Sequence, residues 1–209
     1  MVGQAYDRTF NPVGLIQQSV KNDQPVLYVA MNYRLGVFGF AAGEILRTQK
    51  AENNGLRDQH LALRWIKDNI KVFGGDPGRV TLAGQSFGGI SVALQLVAWG
   101  GKQEGVFHKA IVSSGAVPGE RTDSHVEENT AAVAESLNCP TSSGLVDEKA
   151  LACLRSITLA DLLKVNLDVA TKWRPPYGFG AFTPVVDGDM LPEPPKALLE
   201  QGRFLRCKS

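Results

Sequence analysis

The residues with the clearest capacity for chemistry are GQSFG at positions 84–88, which fit the pattern G-x-S-x-G. In that pattern a serine stands on a sharp strand-to-helix turn. Gly84 and Gly88 are expected there because a side chain at either position would collide with the neighbouring strand or helix. A hydroxyl held at such a turn can attack a carbonyl carbon, while free N–H groups of the helix face the developing negative charge. We therefore predict that Ser86 is a nucleophile and that the Phe87 amide is an oxyanion donor.

The motif by itself leaves other interpretations open. A serine in an ordinary glycine-rich connection would also fit it, because G-x-S-x-G is a short pattern. A phosphate-binding loop is glycine-rich too, but the chain has neither G-x-x-x-x-G-K-[ST] nor G-x-G-x-x-G. The flanking sequence favours the nucleophile, because apolar VTLAG precedes the serine and apolar GISVALQLVA follows it. These runs are typical of a buried strand and a buried helix.

A serine of ordinary pKa needs a general base, and the base needs a carboxylate that orients it. In sites of this kind the chain order is serine, then Asp or Glu, then histidine. The three histidines are interpreted otherwise: His60 precedes the serine on a predicted helix surface, His108 precedes a strand, and His125 lies in a helix-capping segment. Asp187 and Asp189, in VDGDM, are typical of turns. We therefore predict no complete triad among these residues.

The elements around the serine alternate between strands and helices. QPVLYVAMNYRLG predicts a strand buried on both faces, and VTLAG and KAIVSSG predict two further strands. Asn53 or Asn54 is a candidate N-cap of a helix. The alternation indicates an α/β fold of one domain, with a mostly parallel sheet flanked by helices. The apolar positions of that first helix are Leu56, Leu63, Ile66, Ile70 and Phe73.

The second half of the chain predicts more helices and a loop-rich tail. SHVEENTAAVAESL opens with the capping box Ser124-x-x-Glu127, and its apolar face comprises Val126, Val133 and Leu137. Two shorter helices are predicted near 147–155 and 159–165. The stretch WRPPYGFGAFTPVVDGDMLPEPP is rich in proline and glycine and should be mostly irregular.

Composition narrows the classes of partner. The 209 residues carry a formal net charge of +1, which gives no reason to expect a nucleic-acid partner. No apolar run approaches the roughly 20 residues of a membrane-spanning helix, and MVGQAYDRTFNPVG lacks the features of a signal peptide. No cysteine–histidine cluster has the spacing of metal ligands, so we predict no metal and no organic cofactor.

Several runs together resemble the type-B carboxylesterase family, which includes cholinesterases and secreted fungal lipases and has the α/β-hydrolase fold. The runs are VAMNYRLGVFGF, NNGLRDQHLALRWIKDNIKVFGGDPGRVTLAGQSFGG, FHKAIVSSGA and FTPVVDGDMLP. The similarity extends from about Gly3 to Phe204. It implies a carboxylic-ester hydrolase that acts on small-molecule or lipid esters, and a parent protein that is secreted.

The resemblance also implies roles outside the serine turn. Arg34 of NYR and Asp58 of LRDQ match a buried ion pair of the family; the alternative is two solvated surface charges. Cys139 and Cys153 match a disulfide of the fungal lipases; the alternative is two buried free thiols. Cys207 matches nothing in the family.

Two residues beside the serine depart from the family. Gln85 stands where glutamate is usual, so a role that needs an anion next to Ser86 is in doubt. Phe87 stands where alanine is common, and its ring is expected to narrow or reshape the substrate pocket while its amide still donates.

The resemblance further implies that machinery is missing from residues 1–209. The family's glycine-rich oxyanion loop would lie before Met1, and its triad acid and histidine would lie beyond the last residue. The chain is thus expected to be a partial domain, inactive and prone to aggregate, whether as a truncated gene product or as a piece that needs another chain. The alternative is a non-catalytic binding or adhesion module, or a dead remnant; the intact motif argues for an enzyme parent.

Overall fold

The computed structural model describes residues 4–103, 105–116, 124–172 and 180–207. Within these ranges the structure contains a small parallel sheet and several helices, with short 3-10 turns at Arg8–Phe10, Ile70–Phe73 and Ala98–Gly101. The strands are β1 (Thr81–Gln85) and β2 (Lys109–Ser113), and the helices are α1 (Val13–Lys21), α2 (Gly36–Phe40), α3 (Glu44–Thr48), α4 (Asn54–Asn69), α5 (Phe87–Val97), α6 (Ser124–Ser136), α7 (Glu148–Ser156), α8 (Leu159–Lys172) and α9 (Pro195–Glu200).

The sheet is built from β1 and β2, which pair in parallel from Thr81 opposite Lys109 to Gln85 opposite Ser113. Helix α5 follows β1 and packs against both strands, as in a strand–helix–strand crossover. The predicted α/β architecture is therefore present, although the sheet among the described residues is small and the strands are only partly covered.

The strand predicted for QPVLYVAMNYRLG is wrong for the described chain. Positions 24–35 have no strand assignment, and Val26, Leu27, Tyr28 and Val29 are 42–51% exposed. A strand buried on both faces needs neighbouring strands to satisfy its backbone and other elements to cover its side chains. The described residues provide no strand that pairs with this segment.

Helix α5 lies at the centre of the main hydrophobic core and is buried nearly all round, as predicted. In α4 the predicted apolar face is confirmed up to Ile70, but Phe73 is 60% exposed. The α-helix ends at Asn69 and continues as a 3-10 turn, which rotates Phe73 away from that face. The fully buried side chains of this core include Phe40, Leu56, Leu94, Val97, Val126, Val133, Met190, Leu191 and Leu198.

The helices after β2 follow the predicted pattern with some changes in length. Helix α6 buries Val126 and Val133, and α7 begins after Asp147, whose carboxylate accepts the Ala150 N–H at 2.8 Å. Helix α8 extends to Lys172, seven residues beyond the predicted end. The predicted capping box adjoins positions 117–123, which lie outside the described residues, as do 173–179 of the predicted tail. Positions 180–194 form no helix or strand, as expected.

The disulfide between Cys139 and Cys153 is confirmed, and it joins the end of α6 to α7 across 14 residues. It lies in a second hydrophobic cluster that includes Leu46, Val146 and Leu151. The covalent link fixes this helical pair beside the main core.

Polar side chains fasten the irregular tail to the beginning of α4. Asn53 both donates to and accepts from the backbone of Val185, at 2.8 and 3.0 Å. The Arg57 guanidinium donates to Asp187 at 2.9 Å and to Asp189 at 2.8 Å. The two aspartates were predicted only to form a turn; they do bracket one, and they also bind this arginine.

Among the helices in the described ranges, none combines the length and the apolar content that a membrane crossing requires.

Candidate active site

Ser86 is the single residue between the end of β1 and the beginning of α5. Its backbone angles are φ 56° and ψ −119°, a positive-φ conformation outside the left-handed helical region that is rare and strained for a residue with a side chain. The Ser86 N–H donates to the Ser113 carbonyl at 2.9 Å, and the Ser86 carbonyl accepts the Ile90 N–H at 3.0 Å. Strand pairing on one side and the first helical bond on the other hold the strained residue in place, and its side chain is exposed.

The two glycines of the motif differ in their surroundings. A Cβ on Gly84 would overlap the Gly88 carbonyl and lie 2.9 Å from the Gly89 nitrogen, as the predicted collision requires. A Cβ on Gly88 would meet nothing within 4 Å, so the predicted collision there is wrong for the described residues. The difference follows from the directions of the two Cβ positions: that of Gly84 faces the first turn of α5, whereas that of Gly88 faces no described residue within 4 Å.

A second close approach, which the sequence analysis missed, lies on the other side of the serine. A Cβ on Gly115 would lie 2.6 Å from the Gly89 carbonyl carbon, and a Cβ on Gly89 would lie 3.0 Å from the Ser113 carbonyl oxygen. The first turn of α5 therefore sits directly on the chain that leaves β2. The glycine that follows KAIVSS was the available signal for this contact.

The residues on either side of Ser86 point in different directions. Gln85 is exposed at the end of β1 and brings no charge to the serine. The Phe87 amide belongs to the first turn of α5, where N–H groups have no acceptor within the helix. The Phe87 ring is half-buried and packs edge-on against Phe40, with ring centroids 5.9 Å apart and planes at 78°. Its predicted effect on a substrate pocket stays a prediction.

Two of the histidines lie near the ends of α5 and β1 that are remote from Ser86. The His60 ring lies edge-on to the Trp99 ring, with centroids 4.6 Å apart and planes at 65°. Trp99 follows the C-terminal end of α5, an 11-residue helix that extends about 16 Å from Ser86. Burial lowers the pKa of His60, and the nearby Arg64 charge lowers it further. His108 accepts the Val80 N–H at 3.3 Å, before the start of β1. The five residues of β1 separate Val80 from Ser86, a span of about 20 Å.

The third histidine belongs to α6. His125 Nε2 lies 3.5 Å from the Thr183 hydroxyl. Among the described residues, no hydrogen bond joins the Ser86 hydroxyl to any histidine ring. The structure thus places a strained serine on its turn without a general base bonded to it.

Arg34 and Asp58 form a two-pronged ion pair. Arg34 Nε donates to Oδ2 at 2.8 Å and Nη2 donates to Oδ1 at 2.7 Å, and the Arg34 backbone N–H adds a bond at 3.0 Å. The expected burial is not found, because the side chains are 50% and 24% exposed. Burial alone would raise the pKa of Asp58, but the hydrogen bonds and charge of Arg34 outweigh it and hold that pKa below its ordinary value. The pair fixes the chain that leads into α2 and Phe40.

Within residues 4–103, 105–116, 124–172 and 180–207, no group of three or more His, Cys, Asp or Glu side chains is arranged to hold a metal ion.

Known proteins are similar to this chain over nearly its whole length. A family model described as the carboxylesterase family matches residues 2–207. A secreted lipase of Arthroderma benhamiae is 42% identical over 203 residues, which are 97% of this chain and 36% of that protein. The inactive carboxylesterase-like protein VdtD of Byssochlamys spectabilis is also 42% identical, over 97% of this chain and 35% of its own length.

Among solved structures, the crystal structure of Aspergillus niger EstA superposes with a TM-score of 0.77 at 35% identity, covering 98% of this chain and 39% of that one. The predicted incomplete α/β-hydrolase fold is confirmed by this similarity. The chain spans about a third of the length of the curated relatives it matches.

Proposed function

The chain belongs to the carboxylesterase family, and from that membership we propose that it supplies the serine nucleophile of a carboxylic-ester hydrolase. The observation that carries the proposal is the conformation of Ser86, with φ 56° and ψ −119° between β1 and α5. A strained backbone at one exposed serine, held by hydrogen bonds on both sides, is typical of a residue kept for chemistry rather than for folding.

The proposed reaction proceeds through an acyl-enzyme. The Ser86 Oγ attacks the ester carbonyl carbon as a general base takes its proton, and the Phe87 N–H donates to the resulting oxyanion. Collapse of the tetrahedral intermediate breaks the bond to the alkoxy oxygen, and the alcohol leaves with the proton held by the base. Water, deprotonated by the same base, then attacks the acyl carbonyl carbon. The bond from that carbon to Ser86 Oγ breaks, Oγ takes the proton back from the base, and the carboxylic acid leaves.

We place the general base outside the described residues. His60 and His108 lie towards the far ends of α5 and β1, and His125 is next to Thr183. A serine without its base and orienting carboxylate loses on the order of 10⁴–10⁶-fold in rate. The chain by itself is therefore proposed to be nearly inactive, with the base and acid coming from regions that the relatives have beyond the matched third.

The substrate class and location follow from the same membership. We propose a small-molecule or lipid ester as substrate, since relatives are named as lipases and carboxylesterases. A secreted parent is proposed because relatives are named as secreted and because the Cys139–Cys153 disulfide suits an oxidising compartment.

A second candidate function is a non-catalytic member of the family. It is favoured by the relative named as inactive, which is as similar to this chain as the secreted lipase is. In that case the chain would have kept the exposed turn at Ser86 from an enzyme ancestor but would not catalyse ester hydrolysis.

The two functions are separated by labelling with a fluorophosphonate, which reacts with activated serines. We would compare this chain with a chimera in which it replaces the matched third of the Arthroderma benhamiae lipase. The esterase proposal predicts labelling of the chimera at Ser86, abolished by Ser86→Ala, and little labelling of the chain by itself. Ser114→Ala is the matched control, because Ser114 is also exposed, has φ 50° and follows the neighbouring strand.

A folded chimera that is not labelled would reject the esterase proposal in favour of the non-catalytic one. Strong labelling of the chain by itself would show that one of its own histidines serves as the base, against the assignment made above.

A further inference from the structure

The Phe87 ring, next to the proposed nucleophile, packs against the main hydrophobic core. It meets the Phe40 ring edge-on, with centroids 5.9 Å apart and planes at 78°. Edge-to-face aromatic pairs at this separation attract each other beyond simple area burial. The Phe87 side chain is thus held in contact with the Phe40 ring.

Phe40 also lies against the backbone of α4. It is 1% exposed, and a Cβ on Gly55 would lie 2.5 Å from its Cζ and 2.7 Å from its Cε2. Gly55, in the first turn of α4, therefore leaves room for the Phe40 ring where any side chain would collide with it. The same Cβ would lie 2.6 Å from the carbonyl oxygen of Arg34, which is ion-paired to Asp58. A continuous packed path runs from α4 through Phe40 to the first residue of α5.

We propose that Phe40 is a positioning residue that aims the Phe87 N–H at the oxyanion, an inference that rests on the function proposed above. The direction of the Phe87 N–H is set by the peptide plane that Phe87 shares with Ser86, and therefore by ψ of Ser86 and φ of Phe87. A side chain held in one rotamer by packing restricts φ of its own residue, because rotamer and backbone angles are coupled. A turn as strained as that at Ser86 persists only where surrounding contacts over-determine it. The Phe40 ring supplies one such contact at the donor residue itself.

The direction of the Phe87 N–H bond can be measured without any activity. Its residual dipolar coupling is recorded by NMR for the full 209-residue chain and for Phe40→Ala. Phe107→Ala is the matched control, because Phe107 is also 1% exposed but packs with Leu63 and Val106 in a separate cluster. We expect the coupling to change in Phe40→Ala and to stay unchanged in Phe107→Ala. Phe40→Leu should give an intermediate change and substitutes for Phe40→Ala if that variant does not fold.

A double-mutant cycle then separates aiming from general stability. In the chimera described above, Phe40→Ala should slow fluorophosphonate labelling of Ser86 about tenfold, less than the 10²–10³-fold loss of a whole oxyanion donor. In a Phe87→Ala background the same substitution should change the rate less than about twofold, because the ring through which Phe40 acts is gone.

Three outcomes would overturn the positioning role. These are an unchanged Phe87 coupling in Phe40→Ala, an equal change in Phe107→Ala, or an effect of Phe40→Ala on labelling that is the same with and without the Phe87 ring. Absence of Ser86 labelling in the unmodified chimera counts against the proposed function instead, and the dipolar coupling then decides the role of Phe40 by itself.

Discussion

Gly84, in β1, lies directly against the backbone of Gly88 in the first turn of α5. A Cβ on Gly84 would overlap the Gly88 carbonyl, whereas a Cβ on Gly88 would meet no atom of the described residues within 4 Å. Only one of the two glycines is therefore needed for the strand and the helix to approach each other on either side of Ser86. The pair offers a matched test of how the turn is maintained.

Gly84→Ala is expected to lower the free energy of unfolding by about 1–3 kcal/mol, because a methyl group forced against backbone must move the helix or the strand. Gly88→Ala is expected to leave it unchanged or to raise it by up to about 1 kcal/mol, since alanine favours a helix over glycine. Urea denaturation followed by circular dichroism gives both values. Equal losses in the two variants would contradict the directional packing at the turn.

Replacing Asp58 by asparagine is expected to lower the free energy of unfolding by about 1–2 kcal/mol. That is less than the 3–5 kcal/mol of a fully buried pair, because Arg34 is half exposed, but more than a solvated pair, because two prongs and a backbone N–H share the carboxylate. Glu200→Gln is the control, since its pair with Lys196 is 3.8 Å long and exposed. If Asp58→Asn lowers the free energy of unfolding no more than Glu200→Gln does, the pair of Arg34 with Asp58 contributes nothing to stability.

Acid should weaken the same pair. The pKa of Asp58 is held below its ordinary value in the folded protein, so the unfolded chain binds the proton more readily. The stabilisation is complete above the ordinary aspartate pKa of about 3.9 and is lost as the pH falls through the lower folded pKa. The difference in unfolding free energy between the native chain and Asp58→Asn should therefore shrink below about pH 4. A difference that grows in that range would contradict the assignment.

Removing the disulfide is expected to cost about 3 kcal/mol, the loop-closure estimate for a loop of this size. Cys139 and Cys153 are 14 positions apart in the sequence. The measurement is urea denaturation of the Cys139→Ala/Cys153→Ala double variant against the native chain, with and without reductant. Cys207→Ser is the control, because that thiol is free and exposed, and it should leave the midpoint unchanged. A native chain insensitive to reductant would mean that the bond contributes little.

Arg57→Gln is expected to lower the free energy of unfolding by about 3–5 kcal/mol, because it leaves the carboxylate of Asp187 buried without its partner. The Asp187 side chain is 2% exposed, and Arg57 also bonds Asp189 and the Glu52 carbonyl. Lys50→Gln is the control, since that lysine is 71% exposed and reaches Asp189 at only 3.4 Å.

The tail that these bonds hold should loosen in the Arg57 variant. Proteolysis is expected to cut first near positions 183–191, ahead of the helical core. A variant with native stability and an uncut tail would show that Asn53 is sufficient to hold that segment.

Much of the local structure followed from short patterns in the chain. The apolar run after the serine predicted a buried helix, and α5 is buried nearly all round. The GQSFG motif predicted a sharp turn between strand and helix, and Ser86 is the one residue between β1 and α5. The family resemblance supplied the pairing of Cys139 with Cys153, which the structure contains. Such features depend on neighbours in sequence or on a recognised relative.

Tertiary structure decided what no local pattern encodes. The contact of Phe40 with Phe87, the bonds of Arg57 to the tail, and the meeting of Gly89 with Gly115 join residues 26 to 132 positions apart. The segment that begins at Gln24 has the composition of a buried strand yet lies exposed, because burial of a strand is a property of its neighbours. The composition of a segment shows that it is able to form a buried strand, and the elements around it determine whether that strand forms.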